Sequence, residues 1–193
     1  MNDTHILDKP KIHSEIERRC IEVGFNMPSD LYIGSLLKTL VTSRPKGSFL
    51  ELGTGIGLSL SWMVDGMDNE SVLITVDNDL ELIAIAKEYF GDDPRIQILC
   101  QDGSHWIKTY KGGGFDLIFA DAWPGKYSEI DEILKLVKVG GFYIVDDMTA
   151  QPNWPEGHQG NVDGLVSYLE EREDFCITKM NWSTGVIVAV RRF

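Results

Sequence analysis

The chain has 193 residues, 43% of them hydrophobic, which suits one ordinary α/β domain, 1–193, with a full core. Its 30 acidic residues outnumber 18 basic ones, giving a net charge of −12 and a pI near 4.7, which argues against a nucleic-acid partner because such proteins present a basic face. No run approaches a membrane span, the polar start at 1–10 lacks an apolar leader core, and Cys20, Cys100 and Cys176 are odd in number and widely spaced. The expectation is a reducing, cytoplasmic setting in which the cysteines are core residues, not a disulfide frame or a zinc site.

In chain order, apolar residues at Ile12, Ile16, Cys20 and Val23 predict an amphipathic helix over 11–24. Pro28-Ser29-Asp30 opens a second, capped by Ser29 or Asp30, with Leu31, Leu36, Leu37 and Leu40 on its apolar face and an end before Pro45. These leading helices, within 1–45, are expected to cover a ligand site or to build a homodimer contact. A buried strand follows at 48–52. It breaks into Gly53-Thr54-Gly55-Ile56-Gly57, and a helix over 58–67 begins.

That turn is the first chemical signal. Glycines tolerate positive φ and let a ligand approach the backbone, while the amides of the new helix point at whatever anion lies there. The dinucleotide fingerprint Gly-x-Gly-x-x-Gly would need its last glycine at position 58, where this chain has Leu58. Glu51 also suits an amine or a ribose hydroxyl better than a pyrophosphate.

The remaining elements repeat one theme. Strands are predicted at 71–77, 94–100, 115–121 and 140–147, with helices after Asp79, after Ser104 and over 126–138. Strand, helix and strand in alternation require a parallel sheet, so Asp77, Asp102, Asp121, Asp146 and Asp147 emerge with Glu51 on one carboxyl edge. Asp77 stands where a doubly wound fold puts an acid on a ribose diol, and Asp79 caps the next helix. His105, at the start of a polar helix, reads as solvated. The segment 149–161 has no period and reads as a loop at the same edge, with Trp154 as a flat wall. A helix over 162–172 and strands at 174–180 and 186–191 close the chain as an antiparallel hairpin. The fold class is therefore α/β: a doubly wound, Rossmann-like, seven-stranded and mostly parallel sheet with helices on both faces.

The pattern Glu-x-Gly-x-Gly-x-Gly resembles motif I of class I methyltransferases. From about Met27 onward the series is similar to the O-methyltransferases that act on catechol and on caffeoyl-coenzyme A. The resemblance implies S-adenosylmethionine as cofactor, with Glu51 toward its ammonium, Gly53, Thr54, Gly55 and Ser59 along its methionine part, Asp77 and Asn78 at the ribose, and Asp102, Gly103 and Ser104, with Trp106 nearby, at the adenine. It also implies a divalent metal, Mg²⁺, Mn²⁺ or Ca²⁺, on Asp121, Asp146 and Asp147, oxygen donors that suit such ions. The match takes in the Asp121-Ala122 strand end with Tyr127, and it implies a small hydroxylated, catechol-like acceptor with Asp121 among the catalytic residues. This chain departs from the family twice: Asp147 replaces an Asn, and Pro124 replaces a lysine that serves as candidate base, leaving Lys126 two residues on as the substitute. The alternatives are a metal-independent methyltransferase acting on another nucleophile, a non-catalytic cofactor-binding module, and an aminopropyl transferase, which shares the fold and the acidic rim.

Overall fold

The computed structural model describes residues 2–152 and 154–193. Met1, at the start of the polar N-terminal segment, and Asn153, inside the segment 149–161, lie outside the described residues. Seven strands run through the described chain: β1 Ser48–Leu52, β2 Val72–Asp77, β3 Ile96–Cys100, β4 Phe115–Ala120, β5 Val137–Val145, β6 Phe175–Met180 and β7 Val186–Arg191. They form one sheet in the order β3-β2-β1-β4-β5-β7-β6. The first five are parallel, whereas β7 pairs antiparallel with both β5 and β6. This is the doubly wound, Rossmann-like topology with an antiparallel closing hairpin that the alternation of elements predicts. The strand order reverses beside β1, so a crevice opens at the carboxyl ends of β1 and β4.

The central strands alternate between two cores, because successive side chains of a strand point to opposite faces. Phe49, Leu117 and Phe119 enter one core with Ile16, Leu37 and Met63 from the helices α1 His13–Val23, α2 Leu31–Thr42 and α3 Leu58–Gly66. Helix α4, Leu80–Phe90, adds Ile85 and Phe90 to it. Leu50, Leu52, Ile118 and Ala120 enter the other, which is closed by α5 Gly103–Thr109, α6 Ile130–Lys135 and α7 His158–Glu170. Burying a side chain such as Leu37 or Phe49 contributes about 1.5–3 kcal/mol. The caps follow the sequence: Asp30 accepts from the amides of Tyr32 and Ile33, and Asp79 from those of Glu81 and Leu82.

Several expectations are corrected. Cys20 is buried, but Cys100 and Cys176 are exposed. They lie on β3 and β6, the two edge strands, where one side of each strand has no neighbour to cover it. The helix expected over 126–138 is only α6, and β5 starts at Val137, which pairs with Phe115 before the register shifts. A left-handed Gly140, φ 77°, lies within the strand, so the glycine pair that marks a strand start in sequence is an interior irregularity.

The apolar faces of the leading helices also shift. In α1 His13 is buried and Val23 is 42% exposed, and in α2 Ile33, Gly34, Leu37 and Val41 face inward, with Leu31, Leu36 and Leu40 half-buried. Gly34 sets that register: a Cβ there would come within 2.4 Å of the Trp62 indole, so α2 and α3 pack together where the side chain is missing. Finally, α7 begins at His158, earlier than expected, which brings a histidine to the crevice.

Candidate active site

The crevice holds a cavity of about 540 Å³, within the size range of small-molecule sites. One end is the glycine turn. Gly53, Gly55 and Gly57 have φ of 99°, 51° and 98°, the left-handed conformation that glycine adopts without strain. The Gly55 amide donates to Asp77 Oδ2 at 2.9 Å, and the Asp79 amide donates to Asp77 Oδ1 at 3.0 Å. Asp77 thereby joins the ends of β1 and β2, and Asn78 and Asp79 line the same end. The stretch 25–30 between α1 and α2 closes over it, with the Phe25 ring 3.1 Å from where a Gly55 Cβ would stand.

Glu51 lies behind the turn. It is fully buried, accepts from Ser59 Oγ and Thr75 Oγ1 at 2.6 Å each, and is not part of the cavity lining, whereas Gly53, Thr54, Gly55 and Ser59 are. Burial pushes its carboxyl up to about 7, against the downward pull of those two hydroxyls. Thr54 joins the network through Thr75, Oγ1 to Oγ1 at 2.5 Å. Asp102 is exposed and caps α5 through the His105 amide at 2.7 Å, and Ser104 donates to Glu129. With Gly103, these two lie outside the cavity lining, and Trp106 is buried against Tyr110 and Phe115. His105 is exposed, as expected.

The middle of the cavity is acidic. Asp121 at the end of β4, with Asp146 and Asp147 at the end of β5, brings carboxylate oxygens within 4.8 Å of one another. Asp147 adopts a left-handed φ of 49° and its amide donates to Thr184 Oγ1 at 3.2 Å, a strained conformation of the kind that collects at working sites. Burial and the neighbouring Asp146 charge push Asp121 well above the usual carboxylate range. Burial also raises Asp146, with Lys126 opposing and Asp147 adding to the rise.

Lys126 reaches this cluster despite its place beyond Pro124. The loop after β4 is folded tightly, with the Lys126 and Tyr127 amides donating to the Trp123 carbonyl at 3.3 and 2.9 Å and the buried Tyr143 hydroxyl donating to the Gly125 carbonyl at 2.6 Å. The Lys126 ammonium, 5% exposed, therefore stands 3.8 Å from Asp146 Oδ1. Burial works against its charge, but Asp146, Asp121 and Asp147 outweigh that effect and leave its pKa raised.

The far end is aromatic. Trp123, Tyr127 and Trp154 surround the His158 imidazole, and Tyr127 Oη lies 3.2 Å from His158 Nε2. Burial pushes the Tyr127 hydroxyl up. His158 carried no signal in the sequence. Its place in α7 was hidden by the Pro-, Gly- and Trp-rich stretch before it, which has no helical period.

A sequence profile described as O-methyltransferase matches residues 11–162. A Mycobacterium sp. (strain KMS) protein, provisionally named an O-methyltransferase, is 30% identical over 86% of this chain and 76% of its own length. A Mycobacterium ulcerans (strain Agy99) protein with the same provisional name is 26% identical over 90% of this chain and 81% of its own. Among solved structures, the O-methyltransferase TomG of Streptomyces achromogenes, crystallised with S-adenosylmethionine, superposes with a TM-score of 0.84 at 20% identity, covering 98% of this chain and 93% of that one. Sequence profile, relatives and fold agree, and the chain belongs to the O-methyltransferase family, enzymes that move a methyl group from S-adenosylmethionine to an oxygen.

Proposed function

We propose that this protein methylates a hydroxyl of a small, catechol-like acceptor. The cofactor would lie on the Gly53 to Gly55 turn against Asp77 and Asn78, and the acceptor between Asp121 and the Trp123, Tyr127 and Trp154 wall. The observation that carries this reading is the shared cavity, in which the glycine turn and the acid cluster face one space. Holding the acceptor oxygen in line with the sulfonium methyl is the main catalytic task, because such placement supplies much of the barrier reduction in a two-substrate transfer. The Lys126 ammonium would stabilise the negative charge that grows on that oxygen as its proton leaves.

The residues also fit a divalent cation. Asp146 Oδ1 is buried with no hydrogen-bond partner among the described residues, and the donor set is all oxygen. Asp121, Asp146 and Asp147 would hold the ion, which when bound lowers the pKa of a chelated hydroxyl. A metal-independent reading is favoured by one observation, the Lys126 ammonium already beside Asp146 Oδ1.

A calorimetric titration of Mg²⁺ into protein saturated with S-adenosylhomocysteine, beside an Asp146→Ala control, separates the two readings. Saturable binding that the control abolishes supports chelation of vicinal hydroxyls. Absence of Mg²⁺ binding, with S-adenosylhomocysteine still bound, leaves Lys126 as the cation of the site. Failure to bind S-adenosylhomocysteine at all would overturn the proposal.

A further inference from the structure

Methyl transfer from a sulfonium to a hydroxyl releases one proton, and the candidate lysine position for receiving it is Pro124, which has no proton-accepting group. We infer that the hydrogen-bonded pair of Tyr127 and His158 receives it. The inference rests on reading the cavity as an O-methyl transfer site.

The pair is built into the cavity wall from two separate elements. Tyr127 is set by the folded loop after β4, its amide donating to the Trp123 carbonyl at 2.9 Å. His158 is the first residue of α7, delivered by a turn at Gly157 with φ 83°. Tyr127 Oη and His158 Nε2 are 3.2 Å apart, within the reach that proton transfer requires. The rest of the imidazole meets aromatic faces, Trp154 at 4.6 Å and Trp123 at 6.2 Å between centroids, and its Nδ1 is buried with no partner among the described residues. A neutral imidazole has one donor and one acceptor nitrogen. Among the described residues the hydrogen-bonding partner of this ring is the phenol that lines the cavity, so proton exchange between the ring and an acceptor runs through Tyr127.

The step balances. The acceptor O–H bond breaks and its proton goes to Tyr127 Oη, while the Tyr127 proton passes to His158 Nε2. The acceptor oxygen forms its bond to the methyl carbon as the S–C bond breaks, the sulfonium becomes a neutral thioether, and the imidazolium later releases its proton to water. The charged groups facing the pair are Lys126, whose ammonium is 5.6 Å from the Tyr127 ring, and the carboxylates of Asp121, Asp146 and Asp147, with the exposed Glu156 two residues before His158. Tyr127 is the group that touches the acceptor, and His158 acts through it.

Two measurements test the pair. In the first, methylation of 3,4-dihydroxybenzoate at saturating S-adenosylmethionine and Mg²⁺ is followed against pH for the wild type, His158→Gln and Tyr127→Phe. Both variants should lose about 10²-fold or more in kcat. His158→Gln should do so with the acceptor KM changed less than about threefold, the split expected of a residue that takes up the transferred proton and does not bind the acceptor. A His158→Gln variant that keeps the wild-type rate across the pH range overturns the inference.

The second needs no turnover. ¹⁵N NMR of the imidazole in the S-adenosylhomocysteine complex at neutral pH should show Nε2 unprotonated and shifted by Tyr127→Phe. An Nε2 that carries the proton, or that ignores the variant, overturns the pair whatever the acceptor is. Absence of turnover with an intact NMR signature would instead overturn the catechol reading.

Discussion

The Gly55 amide and the Asp77 carboxylate, 2.9 Å apart, tie the end of β1 to the end of β2. The acid proposed for the ribose is thus also a strut of the glycine turn. Replacing Asp77 by Ala removes both roles at once. The expected loss of S-adenosylhomocysteine affinity is about 1–3 kcal/mol, the cost of leaving hydrogen-bonding partners unsatisfied. Calorimetry that returns the wild-type affinity would remove Asp77 from the cofactor site.

Gly53 is intolerant for two independent reasons. Its φ of 99° disfavours any side chain, and a Cβ would stand 2.6 Å from the Asp121 carbonyl oxygen, a backbone atom that cannot swing away. Gly53→Ala should destabilise the fold by about 1–3 kcal/mol and push β4 away from β1 at the site. Thermal unfolding within a degree of the wild type would show that the turn relaxes more freely than this packing allows.

Glu51 links stability to pH. Its folded pKa is raised from 4.5 to about 7 by burial, so across that interval the native chain keeps a proton that the unfolded chain has lost. Stability then falls as pH rises through the window, by up to roughly 3 kcal/mol. Glu51→Gln stays neutral at every pH and escapes the fall. In urea unfolding the stability of the variant relative to the wild type should increase between about pH 5 and pH 8. A difference that stays flat would mean that Glu51 is ionised in the native state throughout.

Lys126 and a divalent ion would share Asp146. Unit charges about 4 Å apart at a protein surface interact by about 4 kcal/mol, so removing the ammonium in Lys126→Met should tighten Mg²⁺ binding to the S-adenosylhomocysteine complex by at least about tenfold. Calorimetry checks this. Weaker binding in the variant would show that the lysine orders the carboxylates and does not compete with the ion.

Much of this site could be read from the chain because its parts lie where strands end. The glycine turn, Asp77, Asp121 and the Asp146-Asp147 pair each follow an apolar, β-branched run, and a parallel sheet brings all such ends to one edge. Asp79 was legible as a cap, and Asp30 as one of two candidates with Ser29, for an equally local reason. What escaped was decided by packing. That Glu51 faces hydroxyls, that Gly34 rather than the leucines sets the α2 face, and that β5 begins at Val137 depend on which side chains meet across elements. His158 escaped because Trp123 and Tyr127 reach it from the loop after β4, a convergence with its own segment that no spacing encodes.

Cys100 and Cys176 sit on opposite margins of the sheet, β3 and β6, with five strands between them. At about 4.8 Å per strand their backbones are on the order of 29 Å apart, against the roughly 7 Å that a disulfide can span. Oxidation therefore cannot join them within one chain. Each is an exposed thiol at its own end of the sheet, so air-oxidised protein grows by joining chain to chain, and a non-reducing gel would display a ladder that reductant collapses to a single band.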